Sequence, residues 1–150
     1  MFDYTNEHFV FAAGDGNAYR VRLSDYSIML TYETGGGALN AYPSETGKYL
    51  AVATGKGGVK IFDYETANPI VQVSDTPVPS TLYAIINRSE QFVIGCTDNS
   101  RVTVWSIENN WQRVVSLIEH ARGVNYTALS LDDRTQVSSK ATKEKSIARR

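Results

Sequence analysis

The stretch GKGGVKIFDYETANPI, Gly55 to Ile70, sets a glycine-broken turn ahead of alternating β-prone residues, an aromatic and an aspartate. Alone it describes any β-hairpin. Its weight lies in repetition. FVFAAG starts at Phe9, LAVATG at Leu50, FVIGCT at Phe92 and TQVSSK at Thr135, so successive starts lie 41, 42 and 43 residues apart. In the first three units a turn follows: DGN at Asp15, KGG at Lys56, DNSR at Asp98. A second strand comes next, AYRVRL from Ala18, VKIFD from Val59 and VTVWS from Val102. Alternation of β-branched and aromatic residues marks strands, and the Gly, Asn and Asp between them mark hairpins.

Each unit extends on both sides. LNAYPSETGK, LYAIINRSEQ and YTALSLDDR lead into the second, third and fourth apolar runs, with turn chemistry at Pro43, Ser44, Gly47, Asn87, Ser89, Asp132 and Asp133. IMLTYE from Ile28, IVQVS from Ile70 and RVVSLIE from Arg113 follow the aromatic strands as edge-like stretches. The expectation is four antiparallel strands per unit and no helix. NNWQRVVSLIEHAR comes nearest to a helical stripe, but Val114 and Val115 favour a strand there.

Period and strand count resemble the WD40 family of β-propellers. Phe62-Asp63 and Trp105-Ser106 stand where that family ends its third strand with Trp-Asp, and His120 stands where its Gly-His histidine opens a blade. The first unit has Val21-Arg22 at the dipeptide, and Glu119 precedes His120, so the family's side-chain network is incomplete in every unit. The resemblance implies an all-β fold, a β-propeller of four-stranded antiparallel blades forming an incomplete ring within this chain. Residues 1–150 read as one propeller segment, with blades at about 1–32, 41–74 and 82–119 and a partial one at 125–150. Such a sheet is apolar on both faces and needs a neighbour on each. The arc is therefore expected either to belong to a longer propeller or to complete its ring with another chain or a copy of itself.

Composition sets bounds. Of 150 residues, 42% are hydrophobic and 11% aromatic, an ordinary globular balance, and the net charge of −1 argues against whole-surface attraction to nucleic acid. The basic residues Lys140, Lys143, Lys145, Arg149 and Arg150 cluster at the C-terminal end. They read as solvated surface, or alternatively as a patch for nucleic acid or anionic phospholipid. The single cysteine, Cys96, lies in an apolar run and reads as a buried thiol, which together with the absence of a signal-like N-terminus suggests the cytoplasm, a nuclear or ciliary complex being the alternative.

No catalytic, cofactor or metal site is expected. The glycine clusters lack phosphate-loop spacing, and neither His8 nor His120 has a carboxylate or cysteine at ligand spacing in the sequence. An enzyme with a site in the propeller shaft remains a further alternative. The leading expectation is a protein-interaction scaffold whose rim consists of the turns between second and third strands and the connections between blades. Those are 15–17, 56–58, 98–101, 35–39, 75–79 and 120–124, with Lys56, Arg101, Arg122 and Tyr126 as contacts to other protein subunits.

Overall fold

The computed structural model describes residues 1–75, 80–118, 123–140 and 147–149, with Lys140 and the last three by backbone alone. β1 (His8–Ala12), β2 (Asn17–Arg22) and β3 (Ile28–Glu33) form a first sheet. β4 (Ala38–Pro43), β5 (Tyr49–Thr54), β6 (Val59–Asp63) and β7 (Pro69–Val73) form a second. β8 (Thr81–Ile86), β9 (Phe92–Thr97), β10 (Arg101–Ser106) and β11 (Gln112–Ile118) form a third. β12 (Val124–Leu129), β13 (Gln136–Lys140) and β14 (Ile147–Arg149) form a fourth. Within each sheet the strands lie side by side in chain order, antiparallel throughout. The sheets succeed one another as the blades of an open ring.

The second and third sheets have the full four strands. The first has three, because its innermost place is held only by Phe2, bridged to Phe9. The fourth also has three among the described residues. β4 packs beside β8 and β8 beside β12, so these first strands make the inner wall.

Both faces of the second sheet are dry. All six residues of β5 are buried. Leu50 and Val52 join Phe62 and Tyr64 against Val10, Ala18 and Tyr32 of the first sheet. Tyr49, Ala51 and Ala53 point the other way and meet Ala84, Ile86, Val93 and Trp105 of the third. Ile85, Ile94, Cys96 and Val102 then meet Val124 of the fourth. Alternate side chains leave a strand on opposite faces, so an uninterrupted apolar run suits a strand with a sheet on either side.

One turn recurs four times. Asp3, Ser44, Asn87 and Ser130 stand at its first position, and each side-chain oxygen accepts the N–H five residues on, at or just before the start of the next strand: His8 N at 3.3 Å, Tyr49 N at 3.0 Å, Phe92 N at 2.7 Å and Thr135 N at 2.9 Å. Three residues on, Asn6, Gly47, Glu90 and Asp133 have φ of 59°, 73°, 54° and 57°. Left-handed backbone costs a residue other than glycine about 1–2 kcal/mol.

Glu90 and Asp133 offset that cost across the joint to the preceding sheet. Glu90 Oε1 accepts Thr46 N at 3.0 Å and its hydroxyl at 2.7 Å. Asp133 accepts Arg88 N at 3.1 Å, Ser89 N at 2.9 Å and Asn87 Nδ2 at 3.0 Å. At Gly47 the corresponding space is filled by the Tyr4 ring, into which a Cβ would collide.

Trp105 is the largest buried side chain in the joint between the second and third sheets, and Gly95 makes its room: a Cβ there would stand 2.9 Å from Trp105 Cζ3. Trp105→Ala should cost about 3–5 kcal/mol in urea unfolding. Gly95→Ala should also destabilise, by about 1–3 kcal/mol, and Trp105→Phe added to it should recover part of that loss. Full additivity of the two changes would show that the ring does not occupy the space above Gly95.

Candidate interaction surfaces

Lys56 and Arg101 occupy matching turns on neighbouring sheets. Lys56 is exposed between β5 and β6, where Thr54 Oγ1 donates to the carbonyls of Gly57 at 3.1 Å and Gly58 at 3.2 Å. Gly55 N also donates to Gly37 O at 2.7 Å, tying this turn to the connection from the first sheet. Arg101 opens β10, half-buried, and its N–H donates to Thr97 Oγ1 at 3.2 Å. A threonine hydroxyl thus fixes each turn, and both basic side chains start from rigid backbone. Arg122 and His120 lie outside the described residues, as do 76–79 of the expected rim.

Tyr126 is not on a turn. It stands on β12, half-exposed, with its ring 4.7 Å from that of Tyr83. Together with Met1, Tyr42, Ile85 and Leu129 these rings line a cavity of about 270 Å³ on the inner wall, with Glu45, Arg88 and Asp133 at one end. Arg88 Nη2 pairs with Glu45 Oε1 at 3.0 Å. Burial, then the neighbouring Tyr126, pushes the Tyr83 phenol up to about 12, and burial, then Glu45, raises Tyr42. Both therefore stay neutral phenols at physiological pH.

Four of the five repeat-motif residues, all but His120, are among the described residues. Phe62 packs edge-on against Tyr32 at 5.6 Å and Trp105 is 2% exposed. Asp63 Oδ1 accepts Thr66 Oγ1 at 2.8 Å, Thr66 N at 2.8 Å and Glu65 N at 3.1 Å, bonds that hold its carboxyl below the usual range. Ser106 Oγ does a lesser version, accepting Asn109 N at 3.2 Å. The dipeptide's second residue thus caps the hairpin to the outer strand.

Two buried polar clusters escape a linear reading. Asp75, expected on the rim, has a fully buried side chain that accepts Arg113 Nη1 at 3.1 Å, Ser116 Oγ at 3.2 Å and the Thr103 hydroxyl. Its partners lie 28 to 41 residues away, so local spacing gives no sign of them. At the joint between the first two sheets, buried Asp3 accepts Thr5 Oγ1 at 2.7 Å and Tyr64 Oη at 2.9 Å and lies 3.0 Å from His8 Nδ1. His8, without a carboxylate at ligand spacing in the sequence, gains one in space. Arg20 lies over the Tyr64 ring, its guanidinium carbon 4.3 Å from the ring centre, and donates to Glu65 Oε2 at 2.9 Å. Among the described residues no three His, Cys, Asp or Glu side chains gather as a metal-ligand group. Cys96 is fully buried, and burial pushes its thiol up to about 12.

With stacked sheets and rim in place, comparison with known proteins is informative. No family profile matches this sequence, and no curated protein does. Solved structures do. The WD40 repeats of RRP9 superpose with a TM-score of 0.82 at 16% identity, over 92% of this chain and 43% of theirs. The U3-55K structure gives 0.80 at 16%, over 99% and 50%. The fold is a WD40-type β-propeller. A third structure, Kuenenia stuttgartiensis hydrazine synthase, gives 0.79 at 13%, over 91% and 40%. At these identities the likeness is one of fold alone, and the chain spans half or less of each chain it matches. Among the described residues no helix is long and apolar enough to cross a membrane.

Three carboxylates at the joints carry a pH dependence. Burial works to raise Asp3, Glu90 and Asp133, but it is outweighed by hydrogen bonds from Thr5, Tyr64 and His8, from Ser44 and Thr46, and from Ser89, Arg88 and Asn87. Their folded pKa values lie below the ordinary 3.8 for Asp and 4.5 for Glu. The stability they confer is therefore complete above those values and is lost as pH falls through the lower, folded ones. Urea midpoints should drop below about pH 4, and Asp133→Asn should flatten that drop. An Asp133→Asn curve parallel to wild type down to pH 2 would show that the joint does not depend on the charge.

Proposed function

We propose that this chain is a non-enzymatic protein-interaction scaffold, with residues 1–150 acting as one propeller segment within a multiprotein complex. Lys56 and Arg101 contact other protein subunits from the rim, Arg122 extends that set, and Tyr126 contributes from the shaft wall. The observation that supports this reading is the pair of matched turns, each fixed by a threonine hydroxyl and each offering one basic side chain. Contacts from rigid backbone lose little entropy on binding, which favours recognition by loops set on sheets. The buried Cys96 thiol suits a reducing compartment, the cytoplasm in this reading.

Hydrazine synthase shows by its name that this fold also occurs in an enzyme, but no residue cluster described above favours a reaction. The basic patch of Lys143, Lys145 and Arg150 lies outside the described residues. Its nucleic-acid or phospholipid reading predicts a steep salt dependence that Lys143→Glu with Lys145→Glu would remove.

With the chain immobilised, Lys56→Glu with Arg101→Glu should weaken capture of a protein partner at least about tenfold, while circular dichroism stays unchanged. Lys143→Glu with Lys145→Glu should leave that capture intact. The opposite pattern, with binding that collapses as salt rises, would replace the rim by the C-terminal patch.

A further inference from the structure

The joints on either side of the second sheet end differently at their outer mouths. On β3, Tyr32 pairs with Ala18; on β7, Val73 holds the same place, paired with Val59. Tyr32 is fully buried, 5.6 Å from the Phe62 ring and 6.4 Å from the Tyr64 ring, and donates its hydroxyl to Tyr64 O at 2.6 Å. That ring plugs the mouth between the first and second sheets. Val73 is too short to do the same between the second and third, and a groove of about 600 Å³ opens there, within the usual range for ligand sites. It lies between the two four-stranded sheets, away from both ends of the array.

The groove is lined by donors more than acceptors. Val71 and Val73 give it an apolar wall. Trp105 is 2% exposed; its Cζ3 edge lies over Gly95, and its indole N–H, on the opposite edge of the ring, has no acceptor among the described residues. Arg113 gives Nη1 to Asp75 at 3.1 Å, which pins the guanidinium and leaves Nη2 and Nε without acceptors among the described residues. Tryptophan and arginine only donate. The Asp75 side chain is fully buried and already accepts from Thr103, Ser116 and Arg113, so it neutralises the arginine charge and presents no acceptor to the groove. Asn110 and Gln112 are exposed at its lip, with amides that can present either end. Trp111 holds φ at 62°, rare for a bulky side chain, and its ring stands edge-on to Tyr49 at 5.7 Å, a contact that fixes it beside the groove.

We propose that this groove binds a proline-rich segment of a partner protein in the extended polyproline conformation. Proline has no N–H, so such a segment brings carbonyl acceptors and few donors, the complement of a lining that donates through Trp105 and Arg113. Its rings suit an aromatic wall, and its backbone is already set in the bound shape, so little order is lost on docking. Because Asp75 cancels the charge of Arg113, the segment needs no acidic residue. A carbohydrate would need acceptors for its hydroxyl protons as well as donors, and the lining has few. The groove shares no residue with Lys56, Arg101, Arg122 and Tyr126, and is a second surface independent of that rim.

The chain has two tryptophans and both line the groove, so their emission reports its occupancy. Titration with end-capped decaproline should shift that emission saturably, half-complete at or below about 1 mM, while a Gly-Ser peptide of equal length leaves it unchanged. Val73→Tyr supplies the ring that plugs the neighbouring mouth and should abolish the shift, with an unchanged β-type circular dichroism. Asn110→Gly relaxes a left-handed corner outside the core and should weaken binding about threefold, which keeps the test decisive if Val73→Tyr fails to fold. The affinity should hold between about 50 and 500 mM salt, and Lys56→Glu with Arg101→Glu should leave it unchanged. No saturable shift, equal binding of the Gly-Ser peptide, binding that survives both groove variants or is lost in the rim variant, or a response to maltose in place of decaproline would each overturn the proposal. Decaproline binding without capture through the rim would leave this inference standing and remove the rim contacts proposed above; the reverse result would remove this inference alone.

Discussion

A sheet that is apolar on both faces cannot exist alone, and the whole molecule follows from that constraint. The six buried residues of β5 commit Leu50 and Val52 to one neighbour and Tyr49, Ala51 and Ala53 to the other. At roughly 25 cal/mol per Å² of apolar surface, wetting either face forfeits an amount comparable to a domain's whole stability. Stability in such an array resides in the joints between adjacent units as much as within the units. This is why β5 and β9 are largely apolar while the motif residues differ from sheet to sheet. It also explains why Gly95 sits in a strand interior, where glycine is usually costly: the Trp105 ring needs the space.

The strands were legible because hairpin chemistry is local. Gly57 and Gly58, with φ of 103° and 86°, can be read directly as the turn before VKIFD, and alternation does the rest. The joints were not legible, because their partners lie one repeat away. Asp132 and Asp133 look like one turn-forming pair in LSLDDRTQ, each favoured for its own backbone bonds. Asp132 behaves so, accepting Arg134 N at 3.1 Å. Asp133 instead spends its carboxylate on Arg88 and Ser89, some 45 residues earlier. The recurring turn cap hides in a different way. Asp3, Ser44, Asn87 and Ser130 share no side-chain type, only an oxygen at the right reach, so a search for identical residues passes over them. On the candidate surface, Lys56 and Arg101 could be placed from the turns alone. Tyr126 could not be placed so, because the bulge between Val124 and Tyr126 decides which way that part of β12 faces.

The placement of positive φ residues joins these two lessons. Glycine at Gly47 is the unstrained choice for the left-handed corner. Glu90 and Asp133 accept strain at the same corner, and each obtains from it a carboxylate aimed across the joint that a regular β-turn side chain could not supply. A position that holds glycine in one turn and a strained acid in another answers to two demands, backbone comfort and contact with the neighbour. Where the neighbour already fills the gap, as the Tyr4 ring does at Gly47, glycine wins; where the gap is open to main-chain N–H groups, the acid wins. The side chain at such a corner therefore reports what the preceding sheet presents.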